Sequence, residues 1–218
     1  MALRDLIDEF RYEASDESIP YFWPDYYLAK IASQAEREAC RRGALIIDST
    51  SQFCTLAFEA GDDVLKLDKR ILEIRRARVV GTGAKLYSVT SDQLDRNNET
   101  WESETGDPYS YVSDYQTGAI RPYPVPKIAG EVRLTVRRLP LADMELDEDE
   151  PEIRPESHSA LVQWMLYRAY MRQDADTFNP AKAAAALAEF TREFGEKKSM
   201  RNEEWVRENN ELDTDPLA

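Results

Sequence analysis

PEIRPESHSALVQWMLYRAYMRQDADTFNPAKAAAALAEFTREF, residues 151–194, reads as two helices joined by a short break. Val162, Met165, Leu166 and Ala169 recur at i, i+3, i+4 and i+7, the spacing that lines one face of an α-helix. Trp164, Tyr167 and Tyr170 widen that face, and the pattern predicts a helix starting near Ser157. DADTFNP at 174–180 interrupts it, with Asn179 placed to cap a second helix and Pro180 at the first helical position, where a missing N–H costs nothing. The second helix carries an alanine-rich face (Ala181, Ala183, Ala184, Ala185, Ala186, Ala188) and a bulky stripe of Leu187, Phe190 and Phe194. Small side chains let two helix backbones approach closely, and each phenylalanine contributes roughly 1.5–3 kcal/mol on full burial. The pair is expected to be a scaffold, with no motif for chemistry.

Working outward, residues 2–10 predict a short amphipathic helix with Leu3, Leu6, Ile7 and Phe10 on one face. Asp25 stands at the start of another, where a carboxylate favours the helix dipole; Leu28, Ile31, Ala32, Ala35 and Ala39 form its stripe. Arg41, Arg42 and Gly43 are its stop signals. The aromatic run Tyr21–Trp23 is expected to staple this helix to the core, the alternative being an exposed adhesive patch.

From Ala44 the pattern changes to short extended pieces: 44–48, 53–58, 64–67, 71–80 and 85–89, separated by turn signals such as Gly61-Asp62 and Gly81-Thr82-Gly83. Thr90 or Ser91 caps a helical turn through Leu94, and strands resume at 109–115 and near Ile120. The clearest strand is 132–137, where Val132, Leu134 and Val136 alternate with Arg133, Thr135 and Arg137. The fold class is therefore α+β, a helical bundle with an inserted antiparallel β-sandwich or small barrel. The expected divisions are N-terminal helices over 1–43, the β insertion over 44–140, an acidic linker over 141–156, the C-terminal helix pair over 157–195 and a polar tail over 196–218. In the linker eight acids face one arginine, and Pro140, Pro151 and Pro155 favour an extended, solvated chain.

With 42% hydrophobic residues this chain of 218 has enough apolar side chains for a sizeable core. Its 42 acids against 28 bases give a net charge of −14, which repels phosphate backbones and argues against general nucleic-acid binding. Cys40 and Cys54, in an expected helix and strand, read as two buried thiols rather than a disulfide framework. MALRDLIDEF lacks the apolar core of a signal peptide, and no run approaches a membrane span.

The chemistry is sparse. His158, the lone histidine, reads as part of a helix cap rather than a general base. No nucleophile elbow, zinc-binding helix motif, phosphate loop or dinucleotide fingerprint is present. DMELDEDEPE lacks the central glycine of a calcium loop, so neither metal nor cofactor is expected. A carboxylate pair suited to glycoside hydrolysis has no sequence signature among so many acids. The basic cluster Lys66, Lys69, Arg70, Arg75, Arg76 and Arg78 is expected to meet an acidic neighbour such as 141–156 of another copy.

Trp101-Glu-Ser-Glu-Thr-Gly106-Asp-Pro108-Tyr109 is followed by Tyr111 and by Ile120-Arg-Pro122-Tyr123-Pro124-Val-Pro126. Then come Leu139-Pro140, the acidic stretch, Pro151-Glu152-Ile153, His158, Leu161-Val162, Ala169-Tyr170 and Asp174-Ala-Asp176; Trp23, Asp25, Ala35 and Arg41-Arg42 precede them. By order of elements, over nearly the whole chain, this succession resembles the head-to-tail adaptor proteins of tailed bacteriophages. That resemblance implies a structural virion protein at the head–tail junction, assembled in the host cytoplasm. It would form a ring, a dodecamer by analogy, beneath the portal protein and beside other neck or tail proteins. Genomic DNA would pass through the channel without specific binding, and no membrane, cofactor or catalysis is implied. Subunit contacts are expected at Arg75, Arg76 and Arg78 on one side and Glu148, Asp149 and Glu150 on the other. The resemblance puts the portal connection in the tail, where Met200, Trp205, Val206 and Leu212 are the candidate docking side chains. The competing readings are a virion-associated cell-wall glycoside hydrolase and a β-sandwich binding module.

Overall fold

The structure, a computed structural model, describes residues 1–174 and 176–197. Five helices run along them: α1 (Leu3–Ala14), α2 (Asp25–Gly43), α3 (Ser91–Asn97), α4 (Leu161–Tyr170) and α5 (Pro180–Phe194). Between α2 and α4 lie β1 (Ile46–Asp48), β2 (Thr55–Phe58), β3 (Leu65–Lys66), β4 (Ile71–Val79) and β5 (Lys85–Val89). They are followed by β6 (Thr105–Gly106), β7 (Ser110–Val112), β8 (Ala119–Tyr123), β9 (Val125–Pro126) and β10 (Gly130–Arg138). Two compact units result, a helical one from residues 1–46 with 139–197 and a sheet unit from Ile47–Arg138. The fold is α+β.

In the helical unit, Leu3, Leu6, Ile7 and Phe10 of α1 and Leu28, Ile31, Ala32, Ala35 and Ala39 of α2 are buried together with the α4 and α5 stripes. Asn179 caps α5 by accepting the Lys182 N–H at 3.0 Å, and Pro180 takes its first position. Of the alanine-rich face only Ala183 and Ala186 are buried; Leu187 is half-buried and the other four alanines are exposed. Phe190 and Phe194 continue the buried stripe at helical spacing, so the remaining alanines contribute helix propensity rather than packing. The start of α4 also differs from its sequence pattern. Pro155–Ser157 form a tight 3-10 turn, α4 begins at Leu161, and Ala160 before it makes no side-chain cap bond. His158 is withdrawn into the core instead of capping: Ile153 O lies 2.9 Å from Nε2 and the Met1 amine 3.2 Å from Nδ1.

Gly43 is the last residue of α2 rather than the residue after it, and the left-handed position falls on Ala44 at φ 49°. A Cβ on Gly43 would meet Leu45 Cδ2 at 2.6 Å, so its bareness makes room for the returning chain. Residues 141–156 are not a free linker. Their acids face solvent, but Met144, Pro151 and Ile153 are buried against the helices. Met144 N–H donates to Ser33 Oγ at 3.0 Å, Arg37 pairs with Asp143, and the Leu3 and Arg4 N–H groups donate to Asp149 O and Asp147 O. The segment is a strap anchored on α1 and α2.

In the other unit a curled mixed sheet, barrel-like, has the order β1-β10-β4-β5-β7-β8-β3, with β2 also on β10. Val132, Leu134 and Val136 point into its core with Phe58, Leu65, Ile71, Ala77, Leu86, Tyr111 and Ile120. β5 and β7 run parallel, as do β6 and β9, whereas hairpin spacing predicts antiparallel pairs throughout. The parallel pair needs a crossover, which α3 and the 3-10 turn Trp101–Ser103 supply. Thr90 caps α3 as the sequence indicates. Cys54 lies in a 3-10 turn preceding β2 rather than in a strand, and both cysteines are buried and outside any disulfide.

Candidate functional site

Three surfaces are candidates for contact with other proteins. The first is the outer face of β10, β4 and β5. Strand alternation would turn Arg75 away from Arg76, yet both are exposed. The cause is a bulge: Thr135 pairs with Arg76 and Val136 with Ile74, so Arg75 is an extra residue with no partner across the ladder. Two positions on, Arg78 stands opposite Arg133 of β10 on one side and Lys85 of β5 on the other. Five exposed cations, Arg75, Arg76, Arg78, Arg133 and Lys85, thus share three adjacent strands. Among the described residues none of them has a carboxylate at salt-bridge distance. Like charges directly opposite across strands destabilise a sheet, so this row costs stability in the isolated chain. Lys66, Lys69 and Arg70 from the same sequence cluster do not join it: Arg70 turns onto Asp68 and lies over the Phe53 ring.

The second surface is the strap. Glu148 and Glu150 are exposed. Asp149 accepts the backbone N–H groups of Glu145 and Leu146, each at 2.8 Å, and these hold its carboxyl below the usual range. It closes its own turn, leaving Glu148 and Glu150 as the outward acids. Beneath the strap, Glu36 of α2 accepts the Glu152 N–H at 2.5 Å. Burial pushes this carboxyl up to about 7 against the opposing pull of the Glu152 and Ile153 N–H groups, with the Glu152 and Asp143 charges adding to the rise.

The third surface had only a partial signal in the sequence. Between α1 and α2, Arg11 is buried and its guanidinium donates to Asp16 at 2.7 Å, Trp23 O at 3.0 Å and Asp25 at 2.5 Å, while stacking 3.6 Å from the Tyr21 ring centre. Asp16 also accepts the Phe22 N–H at 2.8 Å. Trp23 staples the helices, edge-on to Phe10 and Tyr170, whereas Tyr21 and Phe22 stay outside. The loop is therefore both staple and exposed apolar patch, fixed in place by ion pairs.

A cavity of about 290 Å³ opens in the sheet unit among Ile71, Ile74, Tyr111 and Ile120. The carboxylates on its rim are already engaged: Asp68 with Arg70, Glu73 with Arg137 and Asp114 with Ser91. Asp68 sits well below the ordinary carboxylate range because the Arg70 side chain and N–H donate to it. Leu94, Trp101, Val112 and Tyr123 form a small second core, with Val89 packed against it. Arg121 stacks between Trp101 and Tyr115, its ring-centre distances 5.0 and 4.5 Å, and donates to Glu102 O at 2.6 Å. Tyr123 donates to Glu104 at 2.6 Å, which raises its phenol well above the usual value. These side chains hold the crossover together, while residues within 111–120 of the 101–126 stretch line the cavity. Met200, Trp205, Val206 and Leu212 lie outside the described residues.

A family model described as SU10 adaptor protein matches residues 1–211. The chain belongs to the SU10 adaptor protein family. The assignment agrees with the resemblance carried by the order of elements, and it covers both the helical and the sheet unit. No curated protein sequence matches the chain. As a phage adaptor it is a structural protein of the virion that associates with other head and tail proteins. Its surfaces, rather than an internal cavity, are where an adaptor's function is expected. No helix among the described residues is long and apolar enough to cross a membrane.

Proposed function

We propose that this adaptor forms a ring beneath the portal and extends the DNA channel toward the tail. A ring is built from heterologous contacts, one patch of each subunit meeting a different patch of the next. The observation that carries the reading is the unpaired cation row on β10, β4 and β5 in a chain of net charge −14. Five like charges brought together without a carboxylate partner, Arg78 reaching only the Gly83 carbonyl and Lys85 the Tyr87 ring, are relieved when a neighbour supplies acids. In this reading Arg75, Arg76 and Arg78 face the strap of the adjacent copy at Glu148 and Glu150, with Asp149 shaping the turn. The tail, with Met200, Trp205, Val206 and Leu212, docks on the portal, and the ring follows the portal's symmetry as a dodecamer. Excess negative charge keeps DNA moving through without holding it. Mixing the full chain with its cognate portal and imaging the product by electron microscopy tests this directly. An added ring layer is expected; portal rings that stay bare would refute it.

A further inference from the structure

The loop between α1 and α2 and the helix turns that flank it present apolar side chains to solvent: Ile19 is 82% exposed and Phe22 58%, with Tyr12 of α1 at 73% and Tyr26 of α2 at 78%. An exposed apolar cluster on a mobile loop would mean little. This one is held by the buried Arg11, which binds Asp16, Trp23 O and Asp25 at once, so its side chains are presented without the ordering cost of a free loop. Preorganised aromatics of this kind are typical anchors of protein interfaces.

Charge states what fits there. Glu13 of α1 and Glu17 of the loop are exposed, Asp8 is paired with Arg4, and Glu9 is crowded enough by burial and by Glu13 that its carboxyl holds its proton more tightly than usual. A complementary surface must therefore be cationic and carry apolar patches of its own. The sheet unit offers one. On its outer face the unpaired row Arg76, Arg78, Arg133 and Lys85 is flanked by Tyr87, which is 58% exposed and stacks under Lys85 at 4.7 Å. The sheet face is long enough to take the run of α1. The Leu3 N–H of α1 binds the strap at Asp149 O, and α1 then runs about 18 Å to the aromatic loop. β4, with nine residues, offers a face about 30 Å long.

We propose that the Ile19–Tyr26 loop of one copy docks on the outer face of β10, β4 and β5 in the next copy, and that α1 continues this contact to the strap acids. The interface is then a single strip, aromatic at one end and acidic along its length, against one basic sheet face. The proposal rests on the ring assembly described above and gives Arg76 and Arg78 the loop-end acids Glu13 and Glu17 as their partners in place of the strap's Glu148 and Glu150.

Site-specific cross-linking in assembled particles tests it. Phe22→Cys and Tyr87→Cys chains are mixed, assembled on portal and treated with a short bis-maleimide; the native thiols Cys40 and Cys54 are buried. The mixture is expected to give a covalent dimer that neither variant gives alone, because a head-to-tail contact never brings Phe22 to Phe22. A Glu189→Cys control on the exposed side of α5 should not cross-link to Tyr87→Cys. In parallel, Ile19→Ser with Phe22→Ser should weaken ring addition at least tenfold. Arg76→Glu with Arg78→Glu should do the same and be rescued by chains carrying Glu13→Lys and Glu17→Lys. Rings that form without the Phe22–Tyr87 cross-link, or that tolerate both sets of substitutions, overturn this contact and leave the ring standing. Failure of the unsubstituted protein to add any ring overturns the assembly reading, and this contact with it.

Discussion

The Glu36 carboxylate receives the backbone N–H of Glu152 at 2.5 Å, so a buried acid on α2 holds one end of the acidic strap. Ser33, one turn earlier, holds Met144, and Arg37 holds Asp143. Residues spaced i, i+3 and i+4 on one helix face thus grip both ends of a segment whose composition alone suggests free chain.

Glu36 should make stability fall with rising pH. Its folded value of about 7 lies above the ordinary 4.5, so the folded state binds the extra proton. The contribution is fully present below 4.5 and lost as pH rises through 7. Glu36→Gln keeps an acceptor for the Glu152 N–H and removes the charge, so it should be more stable than the parent at pH 8 by on the order of 3 kcal/mol. Urea unfolding at pH 5 and pH 8 measures the slope; an unchanged slope in the variant would assign it to another group.

Arg11→Met should unpin the loop. It strands Asp16, which is buried, and removes one partner of a buried pair, at a cost of about 3–5 kcal/mol. Arg11→Lys should not restore it, since a single ammonium cannot reach Asp16, Trp23 O and Asp25 together. Denaturant unfolding gives the loss, and hydrogen exchange at the Phe22 amide should quicken. Protection equal to the parent's would mean Asp16 alone positions the loop.

Asp48 governs the acid limb of the sheet unit. Burial pushes its carboxyl up, but the Ser51 hydroxyl, the Thr50 and Ser51 N–H groups and Arg138 at 2.6 Å outweigh that and hold it far below 3.8. Its stabilisation is present above 3.8 and disappears as pH falls toward its folded value. Asp48→Asn should cost about 3 kcal/mol at pH 7 and flatten the acid unfolding profile. A steep acid transition in Asp48→Asn would place the titrating group elsewhere.

Reversing Arg75, Arg76 and Arg78 to glutamate should leave the monomer folded, or slightly more stable, because the repulsion across Arg133, Arg78 and Lys85 is relieved. The same variant should not complete a ring on portal. Thermal unfolding together with particle imaging separates the two effects, and normal assembly would discard the patch.

The core helices and the Val132–Arg137 strand were legible because hydrophobic periodicity and capping chemistry are local. Asn179 before Pro180 could mean little else. The parallel β5–β7 pair was not legible, since its crossover runs through α3 and a short aromatic turn whose partners are remote in sequence. Nor was the role of His158, whose neighbours Ile153 and Met1 come from a turn and from the far end of the chain.

By itself, then, the amino-acid order determined most of the helices and strands, the buried stripes of α1, α2 and α4, and the excess of negative charge. Those properties follow from neighbours a few residues apart. Only the tertiary structure decided that Arg75 bulges out beside Arg76, that Arg11 closes on two acids and a carbonyl, and that the strap is anchored by Glu36. Ladder register and buried ion pairs depend on partners brought together from distant parts of the chain, and no local pattern encodes that distance.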